Sequence, residues 1–361
     1  MNRSFSRPGL RAALTLVAAG AATLVIAAGS AVAATPASSQ AAACVTKAST
    51  PLRVGHISGL TPEVPASAAC QAANSDSRVL RAIRNAGDNA EGAPPLIWHG
   101  GAVMGTSQTG PLVLTPIFWN PASNPMAASY KSLITQYLSD VAAASGSTAN
   151  VFSVLTQYTG SDGAVQYKFQ VGNAISDTNP LPASGCKLNP KDTKGIYADG
   201  SGYNACLDDA QVQAQVNAVI AQQKLPANLS HIYEMYLPKG VEACFLAGVT
   251  TNAQKLQQGC SINNEPSAAF CAYHSQAANA STEYANLPFP IYLSATGFTC
   301  GTEVNFGAIQ SPNGNPDGDA VINPTSHETS ELITDPDNNG VTASGWFDAA
   351  GFEIGDECNF I

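Results

Sequence analysis

The run His327-Glu328-Thr329-Ser330-Glu331 puts an imidazole and a carboxylate four residues apart, with a second carboxylate directly after the imidazole. On a helix, side chains at i and i+4 leave the same face one turn apart and can grip one cation. HExxE is then a variant of the HExxH zinc pattern, with Glu331 in the place of the second histidine. In the parent pattern the glutamate after the first histidine is not a ligand. It takes a proton from the attacking water and hands it to the leaving group, the role that this spacing gives to Glu328. A carboxylate at the fourth position remains a competent zinc donor, adds negative charge and leaves the ion a slightly weaker Lewis acid.

A catalytic zinc site takes three protein ligands and keeps its fourth position for water. The tail Gly351-Phe352-Glu353-Ile354-Gly355-Asp356-Glu357-Cys358 supplies acids beyond the helix. Glu353 is the expected third ligand and Asp356 the acid that orients His327; the opposite assignment is nearly as good. His274, in Phe270-Cys271-Ala272-Tyr273-His274-Ser275, is expected to donate to the oxyanion of a hydrolytic intermediate, or to replace Glu353 as a ligand. Two oxygen-rich loops invite calcium. Asp335, Asp337 and Asn339 precede Gly340 as in an EF-hand loop, but Trp346 stands where the bidentate glutamate belongs. Asn313, Asn315, Asp317 and Asp319 form the second loop, and tight Asx turns explain both equally well.

These residues need a scaffold. Asn323 is a good N-cap, Pro324 suits a first helical turn, and Pro336 disfavours helix at Asp335, which brackets a helix of about three turns around the motif. Thr325, Ser326, Thr329 and Ser330 are indifferent helix formers, so neither propensity nor an apolar face accounts for that segment. Upstream, Pro111 to Trp119 reads as a buried strand interrupted by Pro116, and Tyr130, Leu133, Ile134, Tyr137, Leu138 and Val141 fall on one helical face. Val165, Tyr167, Phe169 and Val171 alternate as in a strand. Asp208 opens a second amphipathic helix through Val212, Val216, Val219 and Ile220, and His231 to Leu237 reads as a further strand. Strand and helix in alternation give an α/β (α+β) fold, a mixed sheet with flanking helices and the HExxE helix near the C-terminus.

Arg3, Arg7 and Arg11 precede an apolar run from Ala12 to about Ala28, closed by Ala31-Val32-Ala33, which is the pattern of a secretory signal over 1–33. No later apolar run is long enough for a membrane span, so the expected product is secreted and extracellular. Residues 34–95 are rich in Ala, Ser and Pro and read as a propeptide or arm, with a short helix expected near Val79 to Ile83 and Cys44 and Cys70 able to close a loop; 96–361 reads as the globular domain. The formal charge of -10 becomes -13 once the signal's three arginines are removed, the wrong sign for a nucleic-acid partner. All nine cysteines follow the signal, and none forms a CxxC pair, so they read as structural disulfides with one thiol left over.

From His99 onward the chain resembles a group of secreted bacterial proteins with a zincin-like HExxE helix. The likeness rests on Gly110 to Trp119, Phe270 to Ser275 and above all Ser326 to Asp335 followed by Trp346, Asp348, Glu353, Asp356 and Cys358. More distantly it is similar to the plant EXORDIUM and phosphate-induced extracellular proteins, at Pro312-Asn313-Gly314, Thr334-Asp335-Pro336 and Asn338-Asn339-Gly340. The first resemblance implies a zinc-dependent hydrolase, most simply a metallopeptidase acting on an extracellular peptide or protein. The second implies a non-catalytic extracellular or cell-surface binding protein, in which the acids hold calcium or no ion.

Overall fold

The apolar stretch after Pro111 forms β4 (Leu112–Trp119), a fully flanked strand of the main sheet, and Pro116 does not interrupt it. The reason lies in its neighbours. One edge of β4 pairs with two short strands, β7 (Phe169–Val171) opposite Leu112 to Leu114 and β8 (Ile175–Asp177) opposite Ile117 to Trp119. Pro116 falls in the gap between them, but its other neighbour is continuous, since Glu234 of β10 (His231–Tyr236) lies opposite it. A residue with no N–H is tolerated where a ladder bond is already missing. At the same gap Gly172 lies so close to Thr115 that a Cβ would come within 2.4 Å of its Oγ1.

The computed structural model describes residues 52–54, 57–59, 96–188, 190–197, 199–244, 260–261, 270–277, 282–293, 298–299, 311–336, 344–348 and 353–356. The chain divides into Met1–Pro36 and Ala37–Ile361, and every described residue belongs to the second unit. The helix expected near Val79, the Cys44/Cys70 loop and Asp337 to Gly340 lie outside the described residues.

The main sheet has eight strands in the order β1 (Leu52–Val54), β2 (Ile57–Gly59), β12 (Tyr273–Gln276), β13 (Glu283–Leu287), β10, β4 and β7, with β8 also on β4. β13, β10, β4, β7 and β8 run parallel, while β12 is antiparallel to β13. This is the mixed sheet read from the sequence. Smaller pairs flank it: β3 (Ile97–Trp98) with β16 (Trp346–Phe347), β5 (Thr159–Gly160) with β6 (Gly163–Ala164), β9 (Ala205–Asp208) with β11 (Val241–Cys244), and β14 (Tyr292–Leu293) with β15 (Phe298–Thr299).

Helices cover both faces. α1 (Ala128–Ala143) buries Tyr130, Ile134, Leu138 and Val141, the face read from its spacing, against Leu112, Leu114, Phe118 and Ile232. Each such aliphatic side chain contributes about 1.5–3 kcal/mol. α2 (Asp209–Gln223) lies on the opposite face with Val212, Val216 and Val219 against Ile117, Tyr233 and Met235, and Asp208 closes a capping box with Gln211 as its residue type predicts. Of the strand expected from Val165 to Val171, only β7 is regular; Val165 makes an isolated bridge to Thr106, while Val165, Tyr167 and Phe169 are buried as their alternation requires. Disulfides join Cys186 to Cys206 and Cys244 to Cys260, and Cys271 is also disulfide-bonded.

The HExxE helix is longer than expected at its start. α3 runs Pro316–Thr334, with Asn315 accepting from Gly318 N–H as its cap and Pro316 at the first turn, so Pro324 lies inside. Asn315-Pro316 carries the same signal as Asn323-Pro324, and the earlier copy prevails because Gly318 lets the first turns approach Leu133 of α1. The end at Asp335 is where Pro336 puts it. In the loop of Asn313, Asn315, Asp317 and Asp319, Asn315 serves this cap, and the Asp319 carboxylate accepts from Asn313 Nδ2 at 2.6 Å and from Ser311 Oγ.

Candidate metal centre

α3 is buried along most of its length although it is largely polar, and its hydroxyls explain how. Thr325 Oγ1 donates to Val321 O and Ser330 Oγ to Ser326 O, both at 2.8 Å, so they carry their own polar groups inward already satisfied. Thr329 Oγ1 instead donates across to Glu234 of β10 at 3.0 Å. The Ser and Thr residues that propensity could not justify are what allow a helix bearing acids to lie against a sheet.

His327, Glu328 and Glu331 project from this helix toward β12 and the turn 353–356, all of them buried. His327 Nε2 lies 2.8 Å from Glu331 Oε1 and 3.6 Å from Asp356 Oδ1. From β12, His274 turns Nδ1 to Glu328 Oε2 at 3.1 Å and to Glu331 Oε2 at 3.5 Å, and Nε2 to Glu353 Oε2 at 3.5 Å. The turn holds itself: Asp356 Oδ2 accepts from Glu353 N–H, which leaves Oδ1 for His327. All six residues named from the sequence therefore meet in one place, drawn from a helix, a strand and a C-terminal turn.

Two ligand sets share Glu331. Ligand atoms of His327, Glu331 and Asp356 lie within 4.8 Å of one another, as do those of His274, Glu328 and Glu331. Asp356 faces the same ring nitrogen as Glu331. An acid that merely orients a ligating imidazole takes the other nitrogen, so Asp356 has the position of a ligand, whereas Glu353 faces His274. Despite the short separation, His327 Nε2 and the Glu331 oxygens are not aligned as donor and acceptor, and these buried atoms have no hydrogen bond among the described residues. Convergent buried donors of one nitrogen and several oxygens, misaligned for one another, fit a divalent cation.

Charge in this enclosed cluster is finely opposed. Burial alone would lower both imidazoles, but the carboxylates outweigh it. His327 rises to about 9 through Glu331, Glu328 and Asp356, and His274 is held well above the usual histidine value through Glu353, Glu328 and Glu331. Burial likewise works to raise Glu331, yet His327 and His274 bring it down to about 2. Glu328 is raised by burial against the pull of His274 and His327. Burial and then the charge of Glu331 lift Asp356 well above the ordinary carboxylate range.

Two further residues were not singled out by sequence patterning. Gly355 packs against the ring of His327, where a Cβ would come within 2.6 Å of Nδ1 and 2.8 Å of Glu331 Oε1. Gly355→Ala is expected to displace the His327 ring and, if zinc is the ion that the cluster takes, to weaken its binding by about 10- to 100-fold, the usual cost of disturbing a ligand's support. Competition with a chromogenic chelator measures it, and unchanged affinity would remove Gly355 from the site.

Glu234, fully buried in β10, accepts from Thr329 Oγ1 and from Tyr236 O–H at 3.1 Å, and burial pushes its carboxyl up to about 7 against those bonds. A carboxyl raised on folding binds more protons folded than unfolded, so stability falls as pH climbs from about 4.5 through 7. Glu234→Gln is expected to remove that slope and stabilise the protein by about 1–3 kcal/mol at pH 8, with little change near pH 4.5. Urea unfolding at the two pH values reads it, and parallel losses at both would show that the carboxyl is needed for packing. The signal in sequence was a lone acid inside the apolar run Ile232 to Leu237.

Comparison of the chain with protein-family models, with characterised proteins and with solved structures returns no match. Among the described residues no helix is long and apolar enough to cross a membrane.

Proposed function

We propose that the protein is an extracellular zinc-dependent hydrolase of zincin-like architecture, acting on peptide bonds. The observation that carries this reading is the convergence of His327 Nε2, Glu331 and Asp356 Oδ1 in a buried cluster, with Glu328 next to His327 and paired to His274. His327, Glu331 and Asp356 would hold the ion. Zinc bound there supplies Lewis acidity, which polarises a carbonyl and brings water within reach of deprotonation near neutral pH.

The remaining chemistry belongs to the chain. Glu328 takes the proton of the attacking water and returns it to the leaving amine. Burial lifts its carboxyl above the ordinary range, toward the pH at which a base of this kind both accepts and gives up a proton. His274, 3.1 Å from Glu328, fixes the carboxylate's orientation and, held protonated, offers positive charge to an oxyanion. β12, antiparallel to both its neighbours β13 and β2, brings His274 to the site. The disulfides of the described region suit an oxidising compartment.

The deciding experiment is metal analysis of the purified protein beside its His327→Ala and Glu328→Gln variants. Zinc that disappears in the first and stays in the second, with hydrolysis lost in both, supports the hydrolase. Calcium held equally in all three would favour the non-catalytic binding protein.

A further inference from the structure

β12 has a neighbour on each side. On one side β13 matches it over four Cα pairs, from Tyr273 to Gln276. On the other side β2, the second strand of the hairpin β1–β2, meets it at one pair, Ser58 opposite His274. Among the described residues the hairpin therefore meets the outer edge of β12 at the residue that enters the cluster. Each backbone hydrogen bond across such an edge contributes only about 0.5–1.5 kcal/mol net, so a short pairing is displaceable.

An uncovered β12 would present unpaired N–H and C=O groups beside His274, and such an edge accepts an extended peptide by strand addition. The present occupant of that edge is a segment of the same chain, far from β12 in sequence. Residues 60–95, which include Arg78, Arg81 and Arg84, separate the hairpin from Leu96, and cutting there would sever the main chain between the hairpin and the rest of the sheet. We infer that β2, carried by its pairing with β1, occupies in the intact chain the β12 edge at which an extended peptide docks next to His274, and that displacing these two strands opens the site. What a docked peptide is for rests on the hydrolase reading; the occupancy of the edge does not.

The test compares the full chain with its Ser58→Pro variant. β2 lies between β1 and β12, so the N–H of Ser58 serves one ladder or the other, and proline removes a bond in either case. A fluorescent peptide copying residues 51–60 is titrated into each protein and followed by anisotropy. If the hairpin covers the edge about nine-tenths of the time, the variant binds the peptide about tenfold more tightly, and exchange of those backbone amides of 273–276 that face β2 speeds up by a similar factor. Equal affinity, or unchanged exchange, overturns the inference. Neither readout needs zinc or turnover. A zinc-loaded variant that binds the peptide tightly but cleaves no casein would sink the hydrolase reading and leave the covered edge standing. Casein cleaved equally fast by both proteins, with peptide binding also equal, would do the reverse.

Discussion

Glu328→Gln is expected to lower hydrolysis by about 10²- to 10⁴-fold, the usual contribution of a positioned base, while zinc content and fold stay as they were. Glutamine matches glutamate in shape and keeps an oxygen that can accept from His274 Nδ1, so the 3.1 Å contact has a successor. It cannot take a proton from water. The proposed ligand set of His327, Glu331 and Asp356 does not include residue 328, so an ion held by it would stay. Stability should not suffer either, because burial already raises the Glu328 carboxyl and a neutral amide avoids that penalty. Turnover of a fluorogenic peptide and zinc content, measured on the same preparation, decide the matter. A variant that keeps both its zinc and its rate would move the base elsewhere, with His274 first in line; one that loses its zinc would make Glu328 a ligand, in the second set with His274 and Glu331.

Much of this site could be read from the sequence because helical spacing is a strong constraint. Once His327 and Glu331 are on a helix they share a face, and the apolar stripes of α1 and of the helix opened by Asp208 were legible for the same reason. The start of α3 was not, since two Asn-Pro pairs eight residues apart carry equal local signals and only the packing of Gly318 on α1 chooses between them. The exchange of positions between Glu353 and Asp356 is of another kind. Spacing brings both acids to the cluster, but the turn 353–356, in which Asp356 accepts from Glu353 N–H, decides which one faces His327. Pro116 looked like a break in a strand because a sequence does not show that the neighbouring edge is itself divided between β7 and β8. Glu234 escaped notice because its partner, Thr329, lies 95 residues away and on a different element.

Zinc should stabilise the protein more strongly as the pH rises, and His327 is the reason. In the metal-free chain His327 is raised from 6.5 to about 9, so its charged form adds stability that is complete below about 6.5 and lost as the pH climbs through about 9. Glu331, depressed to about 2, acts in the opposite range: its contribution is present above about 4.5 and is lost as the pH falls toward 2. An ion requires the imidazole neutral, so binding at pH 7 must eject the proton that the folded metal-free chain keeps on His327. Calorimetry in buffers of different ionisation heat should therefore count about one proton released from this residue near pH 7, fading above pH 9. The melting temperature of the metal-free protein should drop between pH 6.5 and 9 while that of the loaded protein holds, so the gap widens with pH. With free zinc at about a thousand times its dissociation constant the stabilisation reaches about 4 kcal/mol. His327→Ala should erase both the zinc increment and the proton release, since it removes the titrating group and a ligand together. A zinc increment that persists in that variant, with the same pH course, would mean that the ion sits away from α3 and that the buried imidazole and its carboxylates serve packing alone.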